Sequence, residues 1–103
     1  MSFDPLAFAR TLKHVPGVYR MLGAEVPGAE REVLYIGKAK SLKKRVESYF
    51  ARPQMQPRLH LMVSLVCHIE VIVTRTESEA LLLECQLIKS LKPRFNIDLR
   101  DDK

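Results

Sequence analysis

Two hydrophobic periods alternate along this chain, and each change of period marks an element. Asp4-Pro5 places an N-cap before a proline at the first helical position, so a helix is predicted from there to about Lys13, ended by Pro16-Gly17. Val18-Tyr19-Arg20-Met21-Leu22 reads as a strand, with Tyr19 and Met21 on the face opposite Val18, Arg20 and Leu22. Gly23 to Glu32 holds two glycines, a proline and several charges, and predicts a flexible hairpin loop longer than usual. Val33-Leu34-Tyr35-Ile36 is the returning strand, turning at Gly37. Ser41 is a good N-cap for a second helix, on which Leu42, Val46, Tyr49 and Phe50 share one face and Lys43, Lys44 and Glu47 lie opposite. Arg45 and Tyr49, four apart, lie together along the edge of that apolar stripe.

Beyond Pro53 and Pro57, helical spacing returns at Leu59, Met62, Val63 and Val66 and ends near Cys67. Ile69 to Thr74 is a third strand, whose Glu70 implies one face only partly covered. Thr76 caps a long last helix, with Glu77 and Glu79 at its positive end and an apolar run from Ala80 to Leu91 that stops before Pro93. The tail Pro93 to Asp98 reads as irregular but apolar enough to pack back on the body. The order is helix, two strands, two helices, strand, helix. It predicts an α+β domain: a small antiparallel sheet of about three strands, flanked by helices.

At 103 residues the chain has the size of one domain with a single modest core. The charged ending Leu99-Arg100-Asp101-Asp102-Lys103 carries no cap and suggests a domain cut from a longer protein. No segment has the pattern of a signal peptide, and the longest apolar run, near Leu61 to Cys67, is far too short to span a bilayer. Cys67 and Cys85 lie in apolar surroundings without metal-ligand spacing, so buried thiols in a reducing cytoplasm are expected rather than a disulfide.

Charge changes the picture. Between Lys38 and Arg52 stand six basic residues (Lys38, Lys40, Lys43, Lys44, Arg45, Arg52) and one acid, Glu47, a surplus equal to the formal net charge of +5 of the whole chain. A basic excess confined to one turn and helix suits a phosphate-binding surface, and equally a solvated lysine-rich helix face. Glu84 is the sharpest single residue. It falls near the middle of the stripe formed by Ala80, Leu83, Leu87, Ile88 and Leu91, where a carboxylate must be paired, protonated or bound to a cation. Pairing with Arg45 and binding a metal both remain open. Tyr19 and Tyr35 sit at matching places on two strands expected to pair, and His14, His60 and His68 show no ligand spacing. A phosphate-cradling glycine loop, a Ser/His/Asp set and a paired-carboxylate motif are all missing from the sequence.

Gly17-Val18-Tyr19 followed by Tyr35-Ile36-Gly37 resembles the signature of the GIY-YIG nuclease family, with Val18 in place of the first isoleucine. The resemblance continues in order through Lys38, Arg45, Glu84 and Asn96 and covers nearly the whole chain. Within the family, Tyr35 to Arg45 and Glu79 to Glu84 are similar to the UvrC branch, the nuclease component of bacterial nucleotide excision repair. The main departure is the long loop Gly23 to Glu32.

The resemblance implies cleavage of a DNA phosphodiester with one divalent ion, Mg²⁺ or Mn²⁺, held by Glu84. It implies a catalytic set of Tyr19, Tyr35, Lys38, Arg45, Tyr49 and Asn96, with DNA bound by Lys38, Lys40, Lys43, Lys44, Arg45 and Arg52. In that scheme Arg45 neutralises charge on the phosphoryl oxygens, where a planar fork outperforms a lysine. A tyrosine, Tyr35 in preference to Tyr19, orients or deprotonates water, with Lys38 as the cation that eases its ionisation. Asn96 holds the tail against the site or bonds a tyrosine. The implied partners are damaged double-stranded DNA and UvrB, after UvrA has loaded it. Two rivals stand beside this: a non-catalytic DNA-binding or docking module, and a stand-alone homologue with another target.

Overall fold

In the computed structural model, which describes residues 3–98, three strands form one antiparallel sheet in the order β2-β1-β3. The strands are β1 (Gly17–Leu22), β2 (Val33–Ala39) and β3 (His68–Val73); the helices are α1 (Pro5–Arg10), α2 (Leu42–Phe50), α3 (Pro57–Leu65), α4 (Glu77–Leu91) and α5 (Arg94–Asp98). The expected antiparallel α+β architecture is present. Its central strand β1 is buried on both faces, which is why Val18 to Leu22 reads as a nearly continuous apolar run.

One face carries Tyr19, Met21, Ile69 and the ring of Tyr35 under α1, α2 and α3, joined by Phe95 of α5, which is fully buried. The other carries Val18 and Ile36 under Ala80, Leu83, Leu87 and Ile88 of α4. A bulge divides the two faces along β2. Met21 pairs with Tyr35 but Leu22 with Val33, so Leu34 is the extra residue and joins the core of the tyrosine face.

Caps fix the helix starts as the sequence predicts. The side chains of Asp4, Ser41 and Thr76 accept backbone N–H groups in the first turns of α1, α2 and α4. Helix α4 ends at Lys92, whose φ of 46° is a left-handed cap before Pro93.

Several expectations change. Helix α1 stops at Arg10 rather than Lys13, because the Thr11 hydroxyl donates to Phe8 O at 2.7 Å and tightens the last turn. Gly37 is no turn: β2 runs on to Ala39, and Gly37 is the partner of Tyr19 in the ladder. A Cβ at Gly37 would run into the Tyr19 ring and hydroxyl, so the glycine is there for close approach. The tail is helical, as α5. Cys67 and Cys85 are free and exposed, not buried, the one just before β3 and the other on the outer side of α4. Leu91, expected in the buried stripe, is exposed at the far end of α4. The loop from Gly23 to Glu32 is closed at its base by Gly23 N–H donating to Glu32 O at 2.9 Å and by Arg31 donating to Gly23 O at 2.9 Å. The ending Leu99 to Lys103 lies outside the described residues.

Candidate active site

Three tyrosines meet on the face under α2. Tyr19 and Tyr49 share a hydrogen bond of 2.7 Å between their hydroxyls, and the Tyr35 ring lies 6.3 Å from Tyr19 and 6.4 Å from Tyr49, centroid to centroid. Tyr19 and Tyr35 are not direct partners in the ladder. Tyr19 pairs with Gly37 and Tyr35 with Met21, so the two rings meet on a diagonal. Helix α2 brings Tyr49 because Leu42, Val46 and Tyr49 form its buried stripe. Tyr19 is buried and Tyr35 half-buried, and only the latter has part of its surface left for a substrate.

Burial raises the pKa of both the Tyr19 and Tyr35 phenols above the ordinary 10.0, and Tyr49 adds to it. The Arg45 guanidinium pulls both the other way. The cation acting on the tyrosines is therefore Arg45, not the expected Lys38. Lys38 acts elsewhere: its ammonium and its backbone N–H favour the charged form of Glu84, against a burial that raises the Glu84 pKa. Lys38 Nζ also lies 3.9 Å from a carboxylate oxygen of Glu77.

Glu84 is half-buried on α4, and among the described residues no ion pair holds its carboxylate. The Arg45–Glu84 pair is absent because α2 covers one face of the sheet and α4 the other. The Glu84 charge still acts on Tyr35, adding to the burial that raises the pKa of that phenol. Among the described residues no cluster of three or more His, Cys, Asp or Glu side chains stands as a ready cation cage.

Asn96 closes the edge of β2. Its Oδ1 accepts Ile36 N–H at 2.8 Å and its Nδ2 donates to Ile36 O at 2.8 Å, so one side chain replaces a neighbouring strand immediately after Tyr35. Of its two expected roles, this is holding the tail against the site.

The basic residues divide. Lys40, Lys44 and Arg45 line a groove of about 810 Å³ with His14, Ser41 and Ser48. Lys43 turns away and donates to Arg10 O, while Arg52 lies past the other end of α2, in the wall of a second groove with Gln54 and Met55. Sequence reading missed His14, whose Nδ1 is 2.9 Å from Ser41 Oγ across 27 positions, a contact with no local signal. It also missed Gln54, which donates to Tyr49 O at 3.0 Å and secures the end of α2.

Residues 15–97 match the family model described as a UvrC-like GIY-YIG domain. The chain belongs to that family. It is 59% identical over 103 residues to UvrABC system protein C of Dechloromonas aromatica (strain RCB) and 55% identical over 101 residues to that of Aromatoleum aromaticum. Those alignments cover 100% and 98% of this chain but 16% of each relative, so the chain spans about a sixth of their length. Among solved structures it is similar to the GIY-YIG N-terminal endonuclease domain of UvrC from Thermotoga maritima bound to its catalytic divalent cation, magnesium. The TM-score is 0.76 at 32% identity, covering 93% of this chain and 99% of that one. A tyrosine-to-phenylalanine variant of the Thermotoga domain is also bound to its catalytic divalent cation, at 29% identity to this chain. Like that domain, this UvrC-like GIY-YIG domain is a nuclease domain built on a three-stranded antiparallel sheet with helices.

Proposed function

We propose that residues 1–103 are one domain of a longer excision nuclease, the domain that cuts a damaged DNA strand on the 3′ side of the lesion. Its substrate is damaged double-stranded DNA, its partner UvrB once UvrA has loaded it, and its compartment the cytoplasm. No described helix is long and apolar enough to cross a membrane. The observation that carries the reading is Glu84: a half-buried carboxylate on α4 with no ion pair among the described residues, whose charge acts on the Tyr35 phenol.

Mg²⁺ or Mn²⁺ is the proposed cofactor, and Glu84 fits it as the one protein ligand, leaving the other coordination positions to water and phosphate. When bound, such an ion polarises the phosphate and stabilises the departing oxygen. The chain's own residues do the rest. Arg45, exposed at the mouth of the groove, takes the charge growing on the phosphoryl oxygens with a planar fork. Tyr35 orients the attacking water through its neutral hydroxyl, because it is the more accessible of the two signature phenols and the one on which Glu84 acts. Arg45 offsets part of the burial that keeps that phenol neutral. Tyr49 and Tyr19 hold Tyr35 in place through ring contacts and their shared hydrogen bond. Lys38 favours the charged form of the Glu84 carboxylate, against the burial that raises its pKa.

The test is nicking of a lesion-bearing duplex in the presence of the partner proteins and Mg²⁺. A cut 3′ to the lesion that disappears in Glu84→Gln and Arg45→Ala supports the reading. A chain that binds the duplex but never nicks it is the docking module, and nicking of undamaged DNA without partners points to a stand-alone nuclease.

A further inference from the structure

We infer that the groove between the α1–β1 connection and the start of α2 is a built subsite for a nucleic-acid backbone phosphate next to the scissile one, with His14 as one of its ligands. The inference rests on the nuclease reading above and assigns the DNA contact to one side of α2.

The first observation is how the cations are used. Four cations elsewhere on the described surface meet carboxylates: Arg20 with Glu70, Arg31 with Glu25, Lys38 with Glu77 and Arg94 with Glu32. Lys40, Lys44 and Arg45, which line the groove, have no anionic partner among the described residues, and no carboxylate lines the groove with them. Three unpaired cations around one concavity leave it for an anion from outside.

The second observation is that the wall is assembled from separate segments. His14 comes from the connection before β1, Lys40 from the link between β2 and α2, and Lys44, Arg45 and Ser48 from α2. His14 Nδ1 is tied to Ser41 Oγ at 2.9 Å, and the same oxygen accepts Lys44 N–H at 3.3 Å. That contact fixes the imidazole, whose other nitrogen has no partner among the described residues. Ser48 adds a hydroxyl, which itself donates to Arg45 O at 2.6 Å and so braces the turn that carries the arginine.

The third observation joins groove and active site. Arg45 stands in the groove wall one helical turn from Tyr49 on α2, whose hydroxyl is bonded to that of Tyr19, so the groove adjoins the tyrosine cluster and can take the phosphate beside the scissile one. Lys43, adjacent in sequence and equal in charge, is held on Arg10 O and stays off this path. Position in the fold, not the count of lysines, decides which charges meet DNA.

The experiment is fluorescence anisotropy of a short lesion-free duplex with the 103-residue chain, without metal, over a series of salt concentrations. Each phosphate-contacting lysine contributes about one unit of the slope of log K on log salt. Lys40→Gln and Lys44→Gln should each flatten the slope by about one, and Lys43→Gln should change it clearly less. His14→Ala should weaken binding at fixed salt by roughly three- to tenfold, the worth of one hydrogen bond, with Lys44→Gln already in place abolishing most of that further loss. Melting curves of all four variants identify any loss due to unfolding, and His14→Gln then supplies a second probe of the same position. If the parent binds but Lys43→Gln costs as much as Lys44→Gln, or both His14 variants bind like the parent, the subsite falls and the nuclease reading stands. If the parent shows no salt-dependent binding at all, the nuclease reading falls with it.

Discussion

In the proposed mechanism a single carboxylate on α4, Glu84, holds the metal, and its pH behaviour is a handle on its state. Burial raises the pKa of Glu84 above 4.5 in the folded chain, so the native state holds the proton more tightly than the unfolded state. The contribution of this group therefore falls as pH rises from 4.5 through the raised folded value. Glu84→Gln should thus be at least as stable as the parent at pH 7 without metal. That advantage should shrink on acidification below the ordinary carboxylate range, as followed by thermal melts across pH. A variant that is unfolded at pH 7 would make Glu84 a structural residue. Tyr35→Phe keeps the ring contacts and removes the hydroxyl, and is expected to slow nicking on the order of a hundredfold or more, measured by single-turnover incision. Tyr19→Phe removes a buried hydroxyl bonded to Tyr49 and should lower stability as well as rate. If Tyr19→Phe loses rate and Tyr35→Phe does not, the two tyrosines exchange roles.

Elements were legible where a local rule decides them, and lost where a distant partner does. The caps at Asp4, Ser41 and Thr76, the stripe of α2 and the stop before Pro93 all follow from neighbours in sequence. The continuation of β2 through Gly37, the bulge at Leu34 and the helix after Pro93 depend on what packs against them: Tyr19, the two-sided core and Phe95. Among site residues, Glu84 was legible because a carboxylate breaks the apolar period of its own helix. The sequence pattern puts Lys38 with the tyrosines, because it predicts a turn where the strand instead carries the side chain toward α4. Two substitutions test these elements. Gly37→Ala should displace Tyr19 and cost both stability and incision, since the added methyl meets a fully packed ring and not a flexible end. Asn96→Ala leaves Ile36 N–H and C=O at the β2 edge without their side-chain partner, and should lower stability by about 1–3 kcal/mol in denaturant melts. A smaller loss would mean that water replaces the amide at that edge.

On the scale of the whole molecule, the sheet separates two jobs. Its tyrosine face, under α1, α2 and α3, carries the phenols and Arg45, and its other face, under α4, carries Glu84 and Lys38. The two sets meet around β2, an outer strand of the sheet, which Asn96 secures from the side. A ligand that binds Glu84 in the native state should therefore stabilise the entire domain, because no unfolded chain presents this arrangement. Linkage gives the size: at ten times the dissociation constant the gain is about 1.4 kcal/mol, and a domain of this length shifts its melting temperature by roughly 6–11 °C for that amount. Adding Mg²⁺ or Mn²⁺ to the parent should raise Tm accordingly, with the midpoint of the rise reporting the affinity. The same titration of Glu84→Gln should leave Tm flat, while Tyr35→Phe, which keeps the carboxylate, should still respond. Sodium chloride at matched ionic strength separates binding from salt effects, and lesion DNA added afterwards separates binding from chemistry. A parent whose Tm ignores both metals, yet which nicks DNA in their presence, would move the cation from Glu84 to a site completed only by the substrate phosphate.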